Sequence, residues 1–341
     1  MRIAFVGYAV PGSRTRQRLR ALIELGHDVS LIDTAPPGRS YESRPSLEAR
    51  IRHRLRRPAD ETNANRAVLE AAGTADLIWV ENASMIRPSI LRRIRDGERR
   101  PRLVWYSEDD MMRPRNTSVW LDSAWPLFDL CVTTKSFNAN PEELPARGAK
   151  RVLFVNNCFD PEIHRPLEPS LEIVDRYGAS VGFIGSYEAP RARSLLHLAA
   201  NDVSVRVWGN GWSRMSGAHP NLWIGGRPLY DDAYAEAIAA ITVNLGFLRQ
   251  ANRDRQTTRS IEIPACAGFM LHQYSEEMAK LLKPEREAVY FRDDDELLRS
   301  CRQWLNDAEK RDAVRWAGHK RVTQLGLRHV DMLTQAISAA G

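Results

Sequence analysis

Short apolar runs alternate with segments of helical periodicity along the whole chain. In the first half, the runs that predict strands are Ile3–Gly7, Val29–Asp33, Leu77–Glu81, Leu103–Ser107, Leu130–Thr134 and Val152–Val155. In the second half they are Val181–Gly185, Val203–Trp208, Leu222–Gly225, Ile241–Leu245, Gly268–His272 and Ala288–Phe291. Strands that alternate with helices are typical of parallel sheets. We therefore predict an α/β chain with two Rossmann-like, doubly wound domains that face a central cleft.

A proline-rich segment divides the two series of strands. Residues 156–169 (NNCFDPEIHRPLEP) have the composition of an interdomain linker. We predict a first domain at 1–168, a second at 169–320, and a C-terminal helix at 321–341 that packs back on the first domain. Ligands of doubly wound sheets bind at the C-terminal ends of the strands, so the loops there hold the candidate chemistry.

Composition narrows the functional class. No apolar run reaches the ~20 residues that span a bilayer. The four cysteines form no CxxC pair, and the histidines show no HxxxH or HExxH spacing. We therefore expect reduced thiols in a cytoplasmic protein, with no metal site and no resident cofactor.

The net charge of +6 comes entirely from the first half of the chain. It is concentrated in two arginine runs, which are Arg50, Arg52, Arg54, Arg56, Arg57 and Arg92, Arg93, Arg95, Arg99, Arg100, Arg102. Such runs are either solvated helix faces or a basic surface for anionic lipid or an acidic glycan, with peripheral contact at the inner face of the membrane. Nucleic acid is not expected as a partner, because no interleaved aromatics or nucleic-acid motif accompany the runs.

The segment VGFIGSYEAPRARSLLHLA, residues 181–199, predicts a strand, a turn and a helix. Gly185 and Ser186 end the strand, and Arg191 lies in the first turn of the helix. Backbone N–H groups at such a turn, together with a guanidinium, can bind a diphosphate. The alternative is that Gly185 only permits the turn and the arginine is solvated.

Two further strand ends offer contacts for a nucleoside. Gly209 follows a strand and would let a ligand approach the backbone, while Trp208 could stack on a base or sugar or belong to the core. Arg227, Pro228 and Leu229 follow the next strand, where a nucleobase could form backbone hydrogen bonds.

A polar loop leads from Gly246 into a predicted helix that begins near Thr258. The positive end of that helix and Arg259 can bind phosphate. Glu262, one turn further, can accept hydrogen bonds from two ribose hydroxyls, or can serve as a cap or surface contact. Asp254 precedes Glu262 by eight positions.

Three consecutive acids end the fourth predicted strand, in the sequence WYSEDD. If the reaction needs a general base, Glu108, Asp109 and Asp110 are the candidates, and we select Asp109 as catalytic. The same acids could equally cap the following segment or bind a cation.

The order of these segments resembles the GT-B-fold glycosyltransferases, and specifically the spore-maturation (CgeB-like) group. The resemblance is carried by RSIEIPACAGFML at 259–271, SEEMAKLLKPEREAVYFRDDDELL at 275–298, GHDVSLID at 26–33 and DLCVTTKSFNANPEELPARGAKRVLFVNNCFDPEIHRP at 129–166. It covers nearly the whole chain and is looser over residues 35–125.

The resemblance implies that the second domain binds the donor and the first binds the acceptor. Retaining relatives carry two acids with seven residues between them, which match Asp254 and Glu262, with Asp where Glu is usual at the first position. The Gly-rich loop on the acceptor side corresponds to Gly7, Gly12 and Ser13.

We therefore predict a metal-independent, retaining glycosyltransferase that uses a nucleoside-diphosphate sugar and acts in polysaccharide or cell-envelope synthesis. The acceptor is a glycan, a lipid-linked molecule or a small molecule. One alternative is a non-catalytic GT-B-like protein that binds a nucleotide or a glycan. Another is a dinucleotide-dependent oxidoreductase, for which the loop GYAVPGS lacks the glycine spacing.

Overall fold

The computed structural model describes residues 1–341, which form two compact units. The first unit contains residues 1–156 and 329–341, and the second contains residues 157–328. Each unit is built on one six-stranded parallel sheet with its helices packed on it. The predicted α/β class with two doubly wound sheets is confirmed.

The sheet of the first unit has the order β2-β1-β3-β4-β5-β6. Its strands are β1 (Arg2–Gly7), β2 (Asp28–Asp33), β3 (Leu77–Glu81), β4 (Arg102–Ser107), β5 (Leu130–Thr133) and β6 (Val152–Phe154). Its helices are α1 (Arg14–Glu24), α2 (Leu47–Arg54), α3 (Ala64–Ala71), α4 (Pro88–Asp96), α5 (Val119–Asp122) and, from the end of the chain, α13 (His329–Ala340). The strand order reverses between β1 and β3, which makes their C-terminal ends a switch point where ligands of such sheets bind.

The sheet of the second unit has the order β12-β11-β10-β7-β8-β9. Its strands are β7 (Ala179–Ile184), β8 (Val205–Trp208), β9 (Leu222–Ile224), β10 (Ile241–Gly246), β11 (Met270–Gln273) and β12 (Val289–Phe291). Its helices are α6 (Leu171–Tyr177), α7 (Ala189–Ala200), α8 (Asp231–Ala240), α9 (Arg259–Ala265), α10 (Glu276–Leu281), α11 (Asp294–Leu305) and α12 (Ala308–Gln324). Here the switch point lies between β7 and β10.

The apolar runs become central strands because both faces of each sheet are covered. Every residue of β3 is buried, as expected for a parallel strand with helices on both sides. Trp105 packs edge-on against Trp125, with ring centroids 5.7 Å apart, in the core of the first unit. In the second unit, β7 and β10 lie side by side at the centre, and Ile241 fills the space over Gly182, where a Cβ would lie 2.6 Å from its Cδ1.

All twelve predicted strands are present, but the segment predicted as a linker is part of the second unit. Phe159 donates its N–H to the carbonyl of Leu327 over 2.9 Å, and Ile163 and His164 are buried. The first unit therefore ends at Asn156 rather than at 168. Phe159, Ile163 and His164 anchor this proline-containing segment to the second unit, which composition alone did not indicate.

The C-terminal stretch is two helices rather than one. α12 ends before Gly326, whose φ of +64° breaks the helix, and α13 then packs on α1 in the first unit. His329, at the start of α13, lies 3.1 Å from the side-chain oxygen of Gln17. The part that joins the first unit therefore starts at residue 329, not at 321. None of the helices combines the length and the apolar character needed to cross a membrane.

Candidate active site

Glycines bring the ends of β7 and β8 close together at the switch point of the second sheet. Gly185 donates its N–H to the carbonyl of Trp208 over 2.8 Å. Gly209 has a φ of +146°, and a Cβ there would lie 2.1 Å from the Gly185 carbonyl oxygen. Ser186 follows in an exposed position. A side chain at position 209 would collide with the Gly185 backbone, so the two strand ends can approach this closely only because residue 209 is glycine.

Arg191, from the first turn of α7, is buried beneath this edge. Its Nη1 donates to the carbonyl of Ser186 over 3.1 Å, and its Nη2 reaches the carbonyl of Phe247 over 3.5 Å. Its guanidinium carbon lies 5.5 Å from the centre of the Phe183 ring. Its Nε is buried without a hydrogen-bond partner. The guanidinium is thus held mainly by neutral groups and keeps a donor unused.

The charge around Arg191 is incompletely balanced. Its nearest carboxylate is Glu188, at 3.8 Å, and Glu188 is shared with Arg249, which contacts it at 2.8 Å. Burial lowers the pKa of Arg191 to about 10, and the positive charges of Arg259 and Arg249 act in the same direction, while Glu188 and Asp254 oppose them. A buried cation with lowered pKa beside further cations is the arrangement that a bound anion would stabilise.

Arg259 comes from the start of α9 and is anchored at the same switch point. Its Nε donates to the carbonyl of Ile184, the last residue of β7, over 3.0 Å. Thr258, directly before it, is buried and forms no side-chain cap, so the first N–H groups of α9 are not covered by its own hydroxyl. Arginines from α7 and α9 therefore converge on the ends of the two central strands.

A buried histidine fixes the start of α9. His272 Nδ1 lies 2.6 Å from the carbonyl of Gln273, which can only accept, so Nδ1 carries the proton. Nε2 must then accept from the Ser260 hydroxyl at 2.8 Å, and Ser260 in turn accepts from the N–H of Thr257 at 2.9 Å. Burial lowers the pKa of His272 to about 4, so the ring is neutral at pH 7. Gly246 makes room for it, because a Cβ there would lie 2.2 Å from the ring.

Glu262 lies one turn into α9 and is 4% exposed. His164 accepts the N–H of Asp160 at its Nδ1, so its Nε2 carries the proton, and this atom lies 3.9 Å from a carboxylate oxygen of Glu262. The Tyr234 hydroxyl is buried beside the same carboxylate, and burial together with the Glu262 charge raises the pKa of Tyr234. The carboxylate is thus buried beside His164 and Tyr234, and a ribose contact remains a prediction.

Asp254 sits in the loop between β10 and α9. One carboxylate oxygen accepts from the Asn252 side chain at 2.8 Å, and the other accepts from the backbone N–H of Arg249 at 3.3 Å. Its charge also acts on Arg191. Asp254 therefore helps to shape the loop beside the arginines, and its catalytic role stays a prediction.

The indole of Trp208 cannot stack on a ligand, which corrects one of the two roles considered for it. The ring is 3% exposed and packs against Tyr177 and Trp223. Gly225 lies directly on it, since a Cβ there would come within 2.4 Å of the ring. Trp208 is the last residue of β8, directly before Gly209, and its aromatic ring belongs to the core.

Residues 227–229 follow β9, which lies two strands, roughly 10 Å, from β7. Arg227 is exposed, and its N–H donates to the carbonyl of Gly225 over 2.9 Å. Pro228 and Leu229 are half-buried, and Leu229 packs on the core. This segment is thus near the switch point without being part of it, and its contact with a nucleobase stays a prediction.

The first unit has a different cluster at its own switch point. Arg18 is 2% exposed and forms a two-pronged ion pair with Glu81, at the end of β3. It also donates to Glu108 over 2.7 Å, and Arg14 donates to the other oxygen of Glu108 over 2.7 Å. Although burial opposes its ionisation, the two arginines hold the pKa of Glu108 well below its ordinary value.

The three acids of WYSEDD have separate positions. Glu108 is held in the arginine cluster, and Asp110 is fully buried, where it accepts from the Asn138 side chain over 3.0 Å. Asp109 is half-buried, and its N–H donates to the Ser107 hydroxyl over 3.0 Å. Glu108 and Asp110 thus have structural roles, and the role of Asp109 as a base stays a prediction.

The loop after β1 is shaped by the three residues predicted there. At Gly7 a Cβ would lie 2.7 Å from the Thr15 methyl, and Gly12 has a φ of +71°. Ser13 caps α1, with its hydroxyl accepting from the N–H of Arg16. Thr15 itself donates to Glu81 over 2.8 Å, so this loop leads directly into the cluster around Arg18.

Sequence reasoning did not identify Arg18, Glu81, Ser260 or His272. Arg14 and Arg18 are four positions apart at the start of a helix that follows a strand. This spacing predicts that both side chains lie on one face of the helix, and it was the only local signal for the cluster. Nothing local marks Glu81 or His272 as partners, because each contacts residues that are distant in sequence. No group of three or more potential metal-ligating side chains is present in the chain.

Comparison with known proteins gives this geometry a family context. Residues 191–327 match the family model described as "Glycosyl transferase-like", and that match begins at Arg191. Sucrose-phosphate synthase from Thermosynechococcus elongatus superposes with a TM-score of 0.69 at 13% identity, over 100% of both chains. The chain has the GT-B fold, and part of its second unit is similar to a glycosyltransferase-like family.

Other GT-B structures match over the same length. The Anabaena protein HepE in complex with UDP-glucose has a TM-score of 0.64 at 14% identity, over 99% of this chain and 98% of HepE. An α-glucosyltransferase in complex with UDP and a 13-mer DNA containing an HMU base has a TM-score of 0.68 at 13% identity, over 100% and 99%. No curated protein is significantly similar to this GT-B chain in sequence. The matches cover both units, so the resemblance to the GT-B fold predicted from the sequence is confirmed.

Proposed function

We propose that the chain transfers a sugar from a nucleoside-diphosphate donor to an acceptor hydroxyl. The observation that carries the proposal is the buried Arg191 beside Arg259, with an unused Nε–H and too little negative charge nearby. A diphosphate supplies the charge and acceptor oxygens that this arrangement lacks. As the bond to the sugar breaks, the same cations would stabilise the negative charge that develops on the leaving diphosphate.

A UDP-sugar is the donor we propose. HepE and the α-glucosyltransferase have been solved with UDP or UDP-glucose. With the diphosphate at the switch point, we place the ribose against Glu262 and the base near the backbone of residues 227–229. Gly185, Ser186 and Gly209 would line the backbone side of the diphosphate, and Thr258 would offer the first N–H groups of α9.

We propose retention of configuration without a metal. Arg191 and Arg259 can stabilise the leaving group directly, which is the task a divalent cation performs elsewhere. Asp254 takes the position nearest the sugar in this proposal, and Asp109 would serve as base only if the reaction inverts. The acceptor, held by the first unit at the loop of Gly7, Gly12 and Ser13, is a glycan, a lipid-linked molecule or a small molecule.

The wider assignment is part of the same proposal. We place the protein in the cytoplasm, in polysaccharide or cell-envelope synthesis, and in the CgeB-like group. Peripheral contact with an anionic membrane belongs to it as well. Nucleic acid is not proposed as the acceptor, although one GT-B neighbour has been solved with DNA.

The test is turnover of nucleotide sugars by the full chain. We expect slow hydrolysis of UDP-glucose or a related UDP-sugar, stimulated by an acceptor from a glycan panel and unaffected by EDTA. NMR of the product then gives the anomeric configuration. If no UDP-, GDP- or TDP-sugar is consumed while UDP still binds, the protein is a non-catalytic binder. Stabilisation by NAD alone would favour an oxidoreductase.

A further inference from the structure

Helix α2 has an apolar stripe that no part of the chain covers. Leu47, Ile51 and Leu55 follow one another at intervals of four, so their side chains lie on one face of the helix. They are 70%, 51% and 62% exposed, and no residue of α2 is buried. Exposing three aligned aliphatic side chains to water is unfavourable, and it is unusual for a helix of eight residues.

The helix is nevertheless well defined at both ends. Ser46 caps it, accepting from the N–H of Ala49 over 3.1 Å. After it, Arg56 donates to the carbonyl of Pro114 over 3.1 Å and pairs with Asp122, and its own carbonyl accepts from Val119. A short helix usually owes its stability to the packing of one face. Here the contacts of Arg56, just after the helix, hold it in place. The apolar face of α2 therefore remains available to a partner outside the chain.

An arginine-lined cavity of about 700 Å³ opens beside the stripe. Arg52 and Arg57 line both this cavity and the groove along the apolar residues of α2. The cavity wall also includes Arg66, Arg87 and Arg93, together with Trp120. The Arg87 guanidinium lies 5.5 Å from the centre of the Trp120 ring.

The positive charge of the cavity is largely uncompensated. Its one acid, Asp60, is occupied by the N–H groups of Ala64 and Asn65 at the start of α3, at 2.7 and 2.9 Å. Arg52 and Arg66 pair with exposed acids on their own helices.

The remaining three arginines of the wall have no carboxylate partner. They are Arg57, Arg87 and Arg93, and all three are exposed. Several guanidiniums without counter-charges, around a cavity of this size, are suited to phosphate groups.

We propose that α2 and the cavity beside it form a docking surface for anionic phospholipid. The stripe of Leu47, Ile51 and Leu55 enters the boundary between headgroups and acyl chains. Arg57, Arg87 and Arg93 bind lipid phosphates at the same depth. An apolar helix face bordered by arginine is the arrangement of helices that lie in a membrane interface. This inference rests on the membrane contact in the proposed function and gives that contact a place in the fold. The binding requires neither donor nor transfer, so its failure can be distinguished from a failure of the glycosyltransferase activity.

Two other occupants fit the surface less well. In a two-fold contact with a second copy, the same basic cavity would face itself, and like charges would repel. A nucleic acid would satisfy the arginines but would leave the three aliphatic side chains in water. An anionic membrane satisfies both parts of the surface at once.

The experiment is co-sedimentation of the full chain with lipid vesicles, either phosphatidylcholine alone or with 30% phosphatidylglycerol, in about 0.1 M salt. We expect binding only to the anionic vesicles. Arg57→Ala with Arg93→Ala should weaken the partition coefficient roughly 25-fold. Leu47→Glu with Ile51→Glu should weaken it at least about tenfold.

Matched controls separate this surface from general charge and hydrophobicity. Leu171→Glu alters a leucine that is 90% exposed on α6, and Arg286→Ala removes an exposed arginine in the second unit. Both should bind like the wild type, and all variants should unfold at the wild-type temperature.

Four results would overturn the proposal. The first is failure of the wild-type chain to bind anionic vesicles, and the second is an equal loss of binding in the control variants. The third is a wild-type dimer that dissociates in the Leu47→Glu, Ile51→Glu variant. The fourth is tight binding of duplex DNA that depends on the arginines but not on the stripe.

Discussion

Each unit has a buried arginine at the switch point of its sheet, and the two arginines differ in how their charge is balanced. In the first unit, Arg18 lies at the switch point between β1 and β3 and is neutralised by Glu81 and Glu108. In the second unit, Arg191 lies at the switch point between β7 and β10 and is held by carbonyls. Burial works against the charge of both, yet the pKa of Arg18 is raised and that of Arg191 is lowered to about 10.

The difference distinguishes a structural cluster from a proposed binding site. A buried cation whose donors all meet carboxylates has little to gain from a further anion. A buried cation with an unused donor and other cations beside it gains charge balance when an anion binds. The comparison is consistent with a stabilising role for the cluster around Arg18 and with the proposed diphosphate binding by Arg191 and Arg259. The variants below change one side of the comparison at a time.

The largest effect should come from breaking the balanced cluster. Glu81→Gln leaves Arg18 buried with one carboxylate fewer, and we expect the free energy of unfolding to fall by about 3–5 kcal/mol. Urea denaturation measures this loss. Glu70→Gln, which breaks an exposed pair with Arg66 on α3, is the control and should leave the curve unchanged. If Glu81→Gln is equally harmless, the cluster does not stabilise the first unit.

The second effect is a pH dependence from His272. The unfolded histidine takes up a proton near pH 6.5, whereas the folded ring does so only near its lowered pKa of about 4. The unfolded state therefore binds more protons between these values, and the free energy of unfolding falls as the pH is lowered from 6.5 to 4, by on the order of 3 kcal/mol.

Denaturation at several pH values tests this window. His272→Gln, whose side-chain oxygen can reach the position of Nε2 and accept from Ser260, should remove the pH dependence, and His53→Gln on exposed α2 should keep it. Glu108 acts in a different window. Its pKa is lowered by Arg14 and Arg18, so its stabilisation is present above pH 4.5 and lost only below that value. A wild-type curve that is flat from pH 6.5 to 4 would contradict the role given to His272.

The third effect should be on UDP affinity, with little change in stability, whereas the first is on stability. Arg191→Met removes an unbalanced cation, so we expect UDP affinity to fall by about 2–3 kcal/mol, or roughly 30- to 150-fold. The free energy of unfolding should change by less than about 1 kcal/mol. Calorimetry and denaturation on the same sample measure both, with Arg299→Met on the exposed side of α11 as the control. Unchanged UDP affinity in a folded Arg191→Met protein would remove Arg191 from the site.

The smallest effect should come from Glu262. Glu262→Gln retains one acceptor oxygen but loses the carboxylate, so UDP affinity should fall about tenfold. Because the proposed contact is to the ribose, the preference of the wild type for UDP over 2′-deoxy-UDP should shrink in the variant. Glu236→Gln, on α8, is a control that should alter neither. A preference for UDP that survives Glu262→Gln would place the ribose elsewhere.

Much of the fold could be predicted because its signals are local. Apolar runs bounded by glycine and polar residues predicted all twelve strands, and the signal is strongest for central runs such as 77–81, which are buried on both faces. Arg191 and Arg259 follow strand ends in sequence, so the switch point of a doubly wound sheet brings them together.

The partners of the site residues could not be predicted, because they are distant in sequence. His164 reaches Glu262 from a segment that composition predicts to be a linker, and His272 holds Ser260 from a neighbouring strand. Thr15, Gln17 and Arg18 are buried on α1, although the pattern of polar residues places them on the outside. Thr15 and Arg18 meet Glu81, and Gln17 meets His329, so each is buried against a partner that is distant in sequence. A single sequence does not show which polar groups meet.

The most direct test of the central claim compares UDP with uridine by calorimetric titration, in the presence of EDTA. The two ligands share base and ribose and differ in the diphosphate that Arg191 and Arg259 are proposed to hold. We predict that UDP binds at least roughly 100-fold more tightly than uridine, and that Arg191→Met removes most of that difference. Equal affinity for both ligands, or no binding of UDP, would contradict the account.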